Sequence, residues 1–225
     1  MSKCRHGLVT FLCLIVPSSF AFAKEIPVQG RLFAGVHSID PTNVNETIEA
    51  QGLKKLDSVN RLGIEITYPL HRYLDVGLRY TKRLASVEEN PDNGSTDYSA
   101  KVDQDSMLLL ARVPVVKSDI VHFDIFAGVG GSNTTLKVKT ASQDGEFTRR
   151  ASGDWVATPY TSFGASVAIG YKQVYLVFEG GFESNKVDGF DRSGSASASI
   201  DTLDLSGSYL SIGLMFDGVP GTVGK

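Results

Sequence analysis

The sequence predicts an all-β fold, an eight-stranded antiparallel transmembrane β-barrel, and three observations predict it. Leu62, Ile64, Ile66, Tyr68 and Leu70 alternate along one run, and Leu74, Val76, Leu78 and Tyr80 along the next, joined by a short connection at His71-Arg72. Side chains in a strand alternate faces with period two, so this is a hairpin with one apolar face. Its other face mixes charge with glycine: Arg61, Gly63, Glu65 and Thr67, then Asp75, Gly77, Arg79 and Thr81. The third observation is the rhythm of connections, in which four long polar stretches alternate with three tight turns, as in barrels that cross a membrane.

The first residues read as a leader. Lys3 and Arg5 precede a short apolar run, Leu8 to Val16, and Ala21-Phe22-Ala23 has the small-x-small form of a cleavage site. A signal peptide is therefore expected at 1–23 and a barrel domain at 24–225, with strands over about 30–216 and a short tail at 217–225. The run is too short for a bilayer-spanning helix, which needs about 20 residues. Leu12 before Cys13 argues against lipidation, and both cysteines, Cys4 and Cys13, leave with the leader, so the mature chain has no disulfide. A net charge of −3 gives no reason to expect nucleic acid as a partner.

The first strand is expected over Gly30 to Ile39, with Leu32, Ala34 and Val36 toward lipid and Arg31, Phe33, Gly35 and His37 inward. Asp40-Pro41 ends it, and a polar loop runs to about Ser58. The Arg61–Tyr80 hairpin supplies strands two and three. A second polar loop is expected from Leu84 to Asp103, carrying Pro91 and the turn pair Asn93-Gly94. In strand four Met107, Leu109, Ala111 and Val113 face outward, leaving Leu108, Leu110 and Arg112 inward. Strand five sets Phe123, Ile125, Ala127 and Val129 against His122, Asp124, Phe126, Gly128 and Gly130. Within the third long stretch, Ser132 to Thr158, Thr134, Leu136 and Val138 alternate, Phe147 to Ala151 offers a return segment and Asp144-Gly145 suits a turn, so a protruding hairpin is expected. Strands six and seven flank a tight turn at Lys172-Gln173. They present Phe163, Ala165, Val167, Ile169 and Tyr171, then Val174, Leu176, Phe178 and Phe182, outward. A Ser, Gly and Asp-rich stretch, Asn185 to Asp201, precedes the last strand, where Leu210, Ile212, Leu214 and Phe216 alternate with Tyr209, Ser211, Gly213 and Met215.

Alternation also fits a soluble barrel or sandwich with its apolar face inside. The second face decides for the membrane, because Gly35, Gly63, Gly77, Gly128, Gly164, Gly170, Gly181 and Gly213 suit a narrow interior, where small residues leave room for charged ones. The hairpin ITYPLHRYLDVGLRY, the strand FDIFAGVGG and the closing strand YLSIGLMF make the mature chain resemble the small eight-stranded outer-membrane proteins of the OmpA membrane domain, OmpX/Ail and OmpW type. That resemblance implies the outer membrane of a Gram-negative envelope, and a terminal assembly signal, Tyr209, Leu210, Ile212, Leu214 and Phe216, read by the barrel insertion machinery. The signal departs from the family pattern because Asp217 to Lys225 follow it, and this tail is too short for a peptidoglycan-binding domain.

The inward charges are the candidate site. Arg31, Arg61, Arg79 and Arg112 meet Glu65, Asp75, Asp124, Glu179 and Glu183, either as the lining of a conducting lumen or as an ionic network that plugs the barrel. Unpaired buried charge is costly, and eight strands enclose little space, which favours the plug. Lipid A-modifying enzymes occur on this scaffold and need a His with a Ser and an acid. His71 and His122 stand at the short-turn end, no His follows His122, and an enzyme is not expected. Asp188, Asp191, Asp201 and Asp204 match no calcium-loop spacing and read as a solvated acidic loop. No metal or other cofactor is expected. Lys137, Lys139, Arg149 and Arg150 would make the third loop basic, suited to acidic sugars or lipopolysaccharide phosphates. The expected function is an envelope-integrity or surface-adhesion role for a monomeric barrel among outer-membrane lipids and lipopolysaccharide, with a surface ligand left unnamed. The alternative is a narrow channel for small hydrophobic or ionic solutes.

Overall fold

Eight strands of the described residues close on themselves, and closure rather than strand count makes the barrel. In this computed structural model the residues described are 28–50, 53–89, 98–139, 144–149, 158–194, 200 and 202–218. The wall consists of β1 (Gln29–Ser38), β2 (Ser58–His71), β3 (Leu74–Glu89), β4 (Tyr98–Lys117), β5 (Val121–Lys139), β7 (Pro159–Tyr171), β8 (Val174–Ser184) and β12 (Gly207–Asp217). Each pairs antiparallel with the next in that order. β12 returns to β1 through Gln29↔Asp217 to His37↔Tyr209, so every barrel strand has two neighbours. The expected leader at 1–23, the turn pair Asn93-Gly94, Arg150, Asp201 and the tail beyond 218 lie outside the described residues.

The faces fall as the alternation requires. Leu32, Ile64, Leu78, Leu109, Ile125, Phe163, Phe178 and Ile212 are exposed on the outer wall, Leu109 to 60%, while Leu108, Leu110, Arg79 and Arg112 are at most 1% exposed inside. A water-soluble protein buries its large apolar side chains; a continuous outer belt of them belongs in hydrocarbon, and a closed barrel leaves no backbone edge there. The short connections stand at one end, with Tyr68, Tyr73, Tyr171 and Phe216 exposed near them. Among them, Lys172 takes a positive φ of 61° to close the two-residue turn between β7 and β8. β4 carries Pro114 at a register shift, where a missing N–H is tolerated.

At the long-loop end the strands outrun the membrane. β3, β4 and β5 have 16, 20 and 19 residues, whereas about 9 to 11 suffice to cross. Residues 84–89 and 98–103, expected as loop, are strand, paired from Leu84↔Asp103 to Glu89↔Tyr98. Along these extensions the faces exchange character. Outward positions become polar (Ser86, Glu88, Ser99, Lys101, Asp103), and inward ones become apolar (Ala85, Val87, Ala100, Val102, Leu136, Val138).

The inward apolar row is covered from above. The first loop holds a helix, α1 (Thr42–Glu49), where only a polar loop was expected, and it buries Val44, Asn45 and Ile48. These pack with Ile39, Leu53, Leu56, Val59, Ile200, Leu203 and Leu205 on the strand extensions, a second core above the barrel. The loop is latched where Asn45 accepts from Leu56 N–H at 2.8 Å and donates to Leu56 C=O at 3.1 Å. The last loop adds β9 (Lys186–Asp188) paired with β11 (Thr202–Asp204), which returns the chain to the barrel beside α1. β5 changes partner at Ser132. Below it pairs β7; above, from Thr134↔Arg149 to Lys139↔Asp144, it pairs β6 (Asp144–Arg149), which in turn pairs β10 (Asp191–Gly194). The third loop thus contains the expected hairpin, but Asp144 and Gly145, expected in its turn, lie in its second strand, paired with Lys139 and Val138.

Candidate functional site in the barrel interior and its cap

The inward side chains form layers. Nearest the short turns, Ala168, Tyr175, Val177 and Met215 make an apolar layer, with His122 against Tyr175 at 4.6 Å between ring centroids. Tyr175 Oη donates to the Lys172 carbonyl at 3.1 Å, tying the layer to the β7–β8 turn.

Above it lies the main ionic network. Arg112 grips Glu65 side-on, Nε to Oε1 at 2.6 Å and Nη2 to Oε2 at 2.9 Å, and reaches Glu179 at 2.9 Å. Arg79 donates to the same two carboxylates, at 2.8 Å to Glu65 and 2.7 Å to Glu179. Arg31 holds Asp124 at 2.6 Å and Ser166 at 2.9 Å, and Tyr209 Oη donates to Glu179 at 3.1 Å. These residues come from β1, β2, β3, β4, β5, β7, β8 and β12, so all eight wall strands are tied through one cluster. Charge-assisted bonds of this length are the strong class, and breaking one leaves a charge in a dry interior.

Glycine makes room for it. Phe33 lies between Gly63 on β2 and Gly213 on β12; a Cβ at Gly63 would strike its ring, and one at Gly213 would strike the Leu32 carbonyl oxygen and the Phe33 Cα and Cβ. The flattened ring carries the Arg61 and Arg79 guanidiniums at 5.0 and 4.8 Å, and Phe126 likewise carries Arg112 at 4.4 Å.

The next group up joins Arg61 to Glu183 at 3.0 Å and Ser211 at 3.2 Å, and Arg83 to His37 Nδ1 at 2.9 Å and the Leu205 carbonyl at 3.1 Å. Gln104 then donates to Thr134 and to Asn185 Oδ1, both at 2.6 Å, and Asn185 donates to Ser132 and the Pro159 carbonyl, both at 3.1 Å. The apolar cap closes over this belt.

Of the expected lumen set, Arg31, Arg61, Glu65, Arg79, Arg112, Asp124, Glu179 and Glu183 are inward, buried and ion-paired. Asp75 is inward and buried but stands apart: among the described residues it has no ion pair within 4 Å. Arg83, Gln104 and Asn185 join them from outside the expected set: Leu84 to Asp103 is polar enough to resemble a loop, which hides the parity of Arg83 and Gln104, and Asn185 opens the Ser, Gly and Asp-rich stretch after β8. Arg83 shares the parity of Arg79 and Thr81, and continuing the strand would have found it. In the closing strand Leu210, Ile212, Leu214 and Phe216 face outward, Leu210 to 75%, while Tyr209 points inward and takes part in the network. Lys137 and Lys139 are exposed on β5, and Arg149 pairs Thr134 in β6. Elsewhere on the extensions Lys101 donates to Glu88 at 2.6 Å and holds its carboxyl below the usual carboxylate range. At the outer boundary Lys82 holds Asp103 at 2.8 Å, and Tyr80 donates to Asp105. His37 is wholly buried with Nδ1 accepting from Arg83, so it offers no accessible base.

No family model and no curated protein sequence matches this chain. Among solved structures it is similar to Ail, the attachment invasion locus protein of Yersinia pestis, with a TM-score of 0.44 and 10% identity over 86% of this chain and 99% of that one. Ail in complex with the heparin analogue sucrose octasulfate gives a TM-score of 0.45 and 11% identity over 85% and 99%. The outer membrane protein OprG from Pseudomonas aeruginosa gives 0.39 and 14% over 85% and 96%. The barrel assignment follows from the strand pairing and the apolar outer wall themselves.

Proposed function

We infer that this chain, a small outer-membrane β-barrel, works as a closed structural wall carrying a folded platform on its long-loop side, and not as a pore. The observation that carries the reading is the packed interior: Arg79, Arg112, Glu65 and Glu179 bridge the lumen with side chains at most 4% exposed, between an apolar layer below and a capped amide belt above. A conducting path needs continuous water, and the buried Tyr175 and Met215 below the charged stretch and Gln104 and Asn185 above it support a lumen without one. The long-loop end carries α1 and the β3–β6 extensions on a core of their own, which suits a role in envelope integrity or in contact with other surfaces. Lys137 and Lys139 offer such contacts to lipopolysaccharide phosphates or acidic sugars.

Planar-bilayer recording tests this. Purified protein should insert without steady unitary conductance. Stable, ohmic openings in the wild type would overturn the closed-wall reading and support the narrow-channel alternative.

A further inference from the structure

Charge does not cancel layer by layer inside the barrel. In the main network three guanidiniums, Arg31, Arg79 and Arg112, meet the three carboxylates of Glu65, Glu179 and Asp124. In the group above, Arg61 and Arg83 share Glu183, whose Oε1 is taken by Arg61 at 3.0 Å while Arg83 stays 3.6 Å from Oε2. His37 does not supply the missing negative charge, being neutral or cationic. Asp75, the one other inward carboxylate described, lies eight residues below Arg83 on β3, roughly 26 Å along the strand. A surplus carboxylate can be neutralised by a proton. A surplus guanidinium cannot, since arginine stays charged in proteins.

Arg83 also has a free binding edge. Its Nη1 is used by His37 and Leu205, but Nε and Nη2, both buried, have no acceptor among the described residues. This Nε–Nη2 edge is the one by which Arg112 holds Glu65. One guanidinium face is covered by the Tyr160 ring, 4.8 Å from Cζ, and the neighbouring inward residue on β3, Thr81, has a buried hydroxyl without a partner among the described residues. Water between Arg83 and the unpartnered Gln104 Oε1 would satisfy hydrogen bonds but leave the charge.

We propose that the upper lumen binds a small monovalent anion, of chloride's size and charge, on the Nε–Nη2 edge of Arg83, with the Thr81 hydroxyl in the same inward row as a further donor. The anion completes the charge balance between the main network and the cap and is held in place when the cap closes.

The test is equilibrium unfolding by urea in zwitterionic micelles, with sodium chloride replaced by sodium gluconate at equal ionic strength. A ligand at ten times its dissociation constant lowers the unfolding constant roughly tenfold, so chloride should stabilise the wild type by that factor over gluconate. Arg83→Gln removes both the surplus charge and the edge, and should abolish the difference. A wild type indifferent to the exchange, or an Arg83→Gln variant that keeps the full difference, overturns the proposal. Should Arg83→Gln fail to fold, wild-type crystals grown in bromide decide: an anomalous peak beside Arg83 supports the site, and its absence there overturns it.

Discussion

Replacing Arg112 by Met should be among the most damaging single changes in the barrel wall, and Glu65→Gln should relieve much of the damage. Arg112 makes two bonds to Glu65 and one to Glu179. Charge-assisted bonds contribute about 1.5–3 kcal/mol each, so the gross loss is large. Arg79 still holds both carboxylates at 2.7–2.8 Å, and a Met stem can pack on Phe126, so part of it is offset. A buried pair broken from one side typically costs about 3–5 kcal/mol, and that is the value expected for Arg112→Met. In the double variant Arg31 and Arg79 face Glu179 and Asp124, charges balance again, and the cost should fall to about 1–2 kcal/mol, a coupling of several kcal/mol between the sites. Urea unfolding in lipid vesicles, followed by the gel shift between folded and heat-unfolded barrel, reads all four corners of the cycle. Additive single effects, or an Arg112→Met variant within about 1 kcal/mol of wild type, would show that the network is solvated and the interior is not dry.

Further perturbations probe the other layers. Leu78→Arg places a charge on the outer wall, where Leu78 is 56% exposed, and should cost about 2–4 kcal/mol in vesicles if the site lies near the midplane; unchanged stability would mean that this face does not meet lipid. Gly63→Val drives a side chain into Phe33 and the Tyr80 carbonyl, and should lose at least about 1–3 kcal/mol, measured by the same unfolding curve. Asn45→Ala removes the latch to Leu56 and should make residues 40–57 cleavable by added protease while the barrel keeps its resistance to SDS; loss of both together would show that cap and barrel fold as one unit. Hydrogen exchange should protect Leu136 to Val138 and Phe147 to Arg149, which are paired in the β5–β6 hairpin, and uniformly fast exchange there would remove the platform.

The membrane part was legible because its period is two and its faces differ sharply: Met107, Leu109, Ala111 and Val113 read outward and are outward, even where Leu108 and Leu110 blur the contrast. The upper part was harder because the same period continues with the polarity inverted. Lys101, Asp103 and Asp105 outside Ala100 and Val102 read as a polar stretch unless parity is carried across Gln104, and so Arg83 and Gln104 were missed. α1 carries only two apolar residues, Val44 and Ile48, in eight, and its burial depends on Leu136, Leu203 and Leu205, which are remote in sequence. Which inward Arg meets which carboxylate depends on barrel stagger and diameter, quantities that no local pattern encodes. Asp75, counted with the others by parity alone, stands opposite Arg112 on β4, but the Arg112 guanidinium turns to Glu65 and Glu179 instead.

The first and last wall strands are neighbours, and Gly218 N–H donates to the Val28 carbonyl at 3.0 Å. Topologically the wall is a ring that the chain happens to cut at this one seam. A circular permutant joined there and opened at 118–120 would keep every strand pair, yet it would make β4 the last strand synthesised and bury Phe216 in mid-chain. Order of synthesis and geometry of the wall are therefore separable in this protein, and such a permutant would reveal whether insertion depends on which strand arrives last or on where the closing aromatic sits in the finished cylinder.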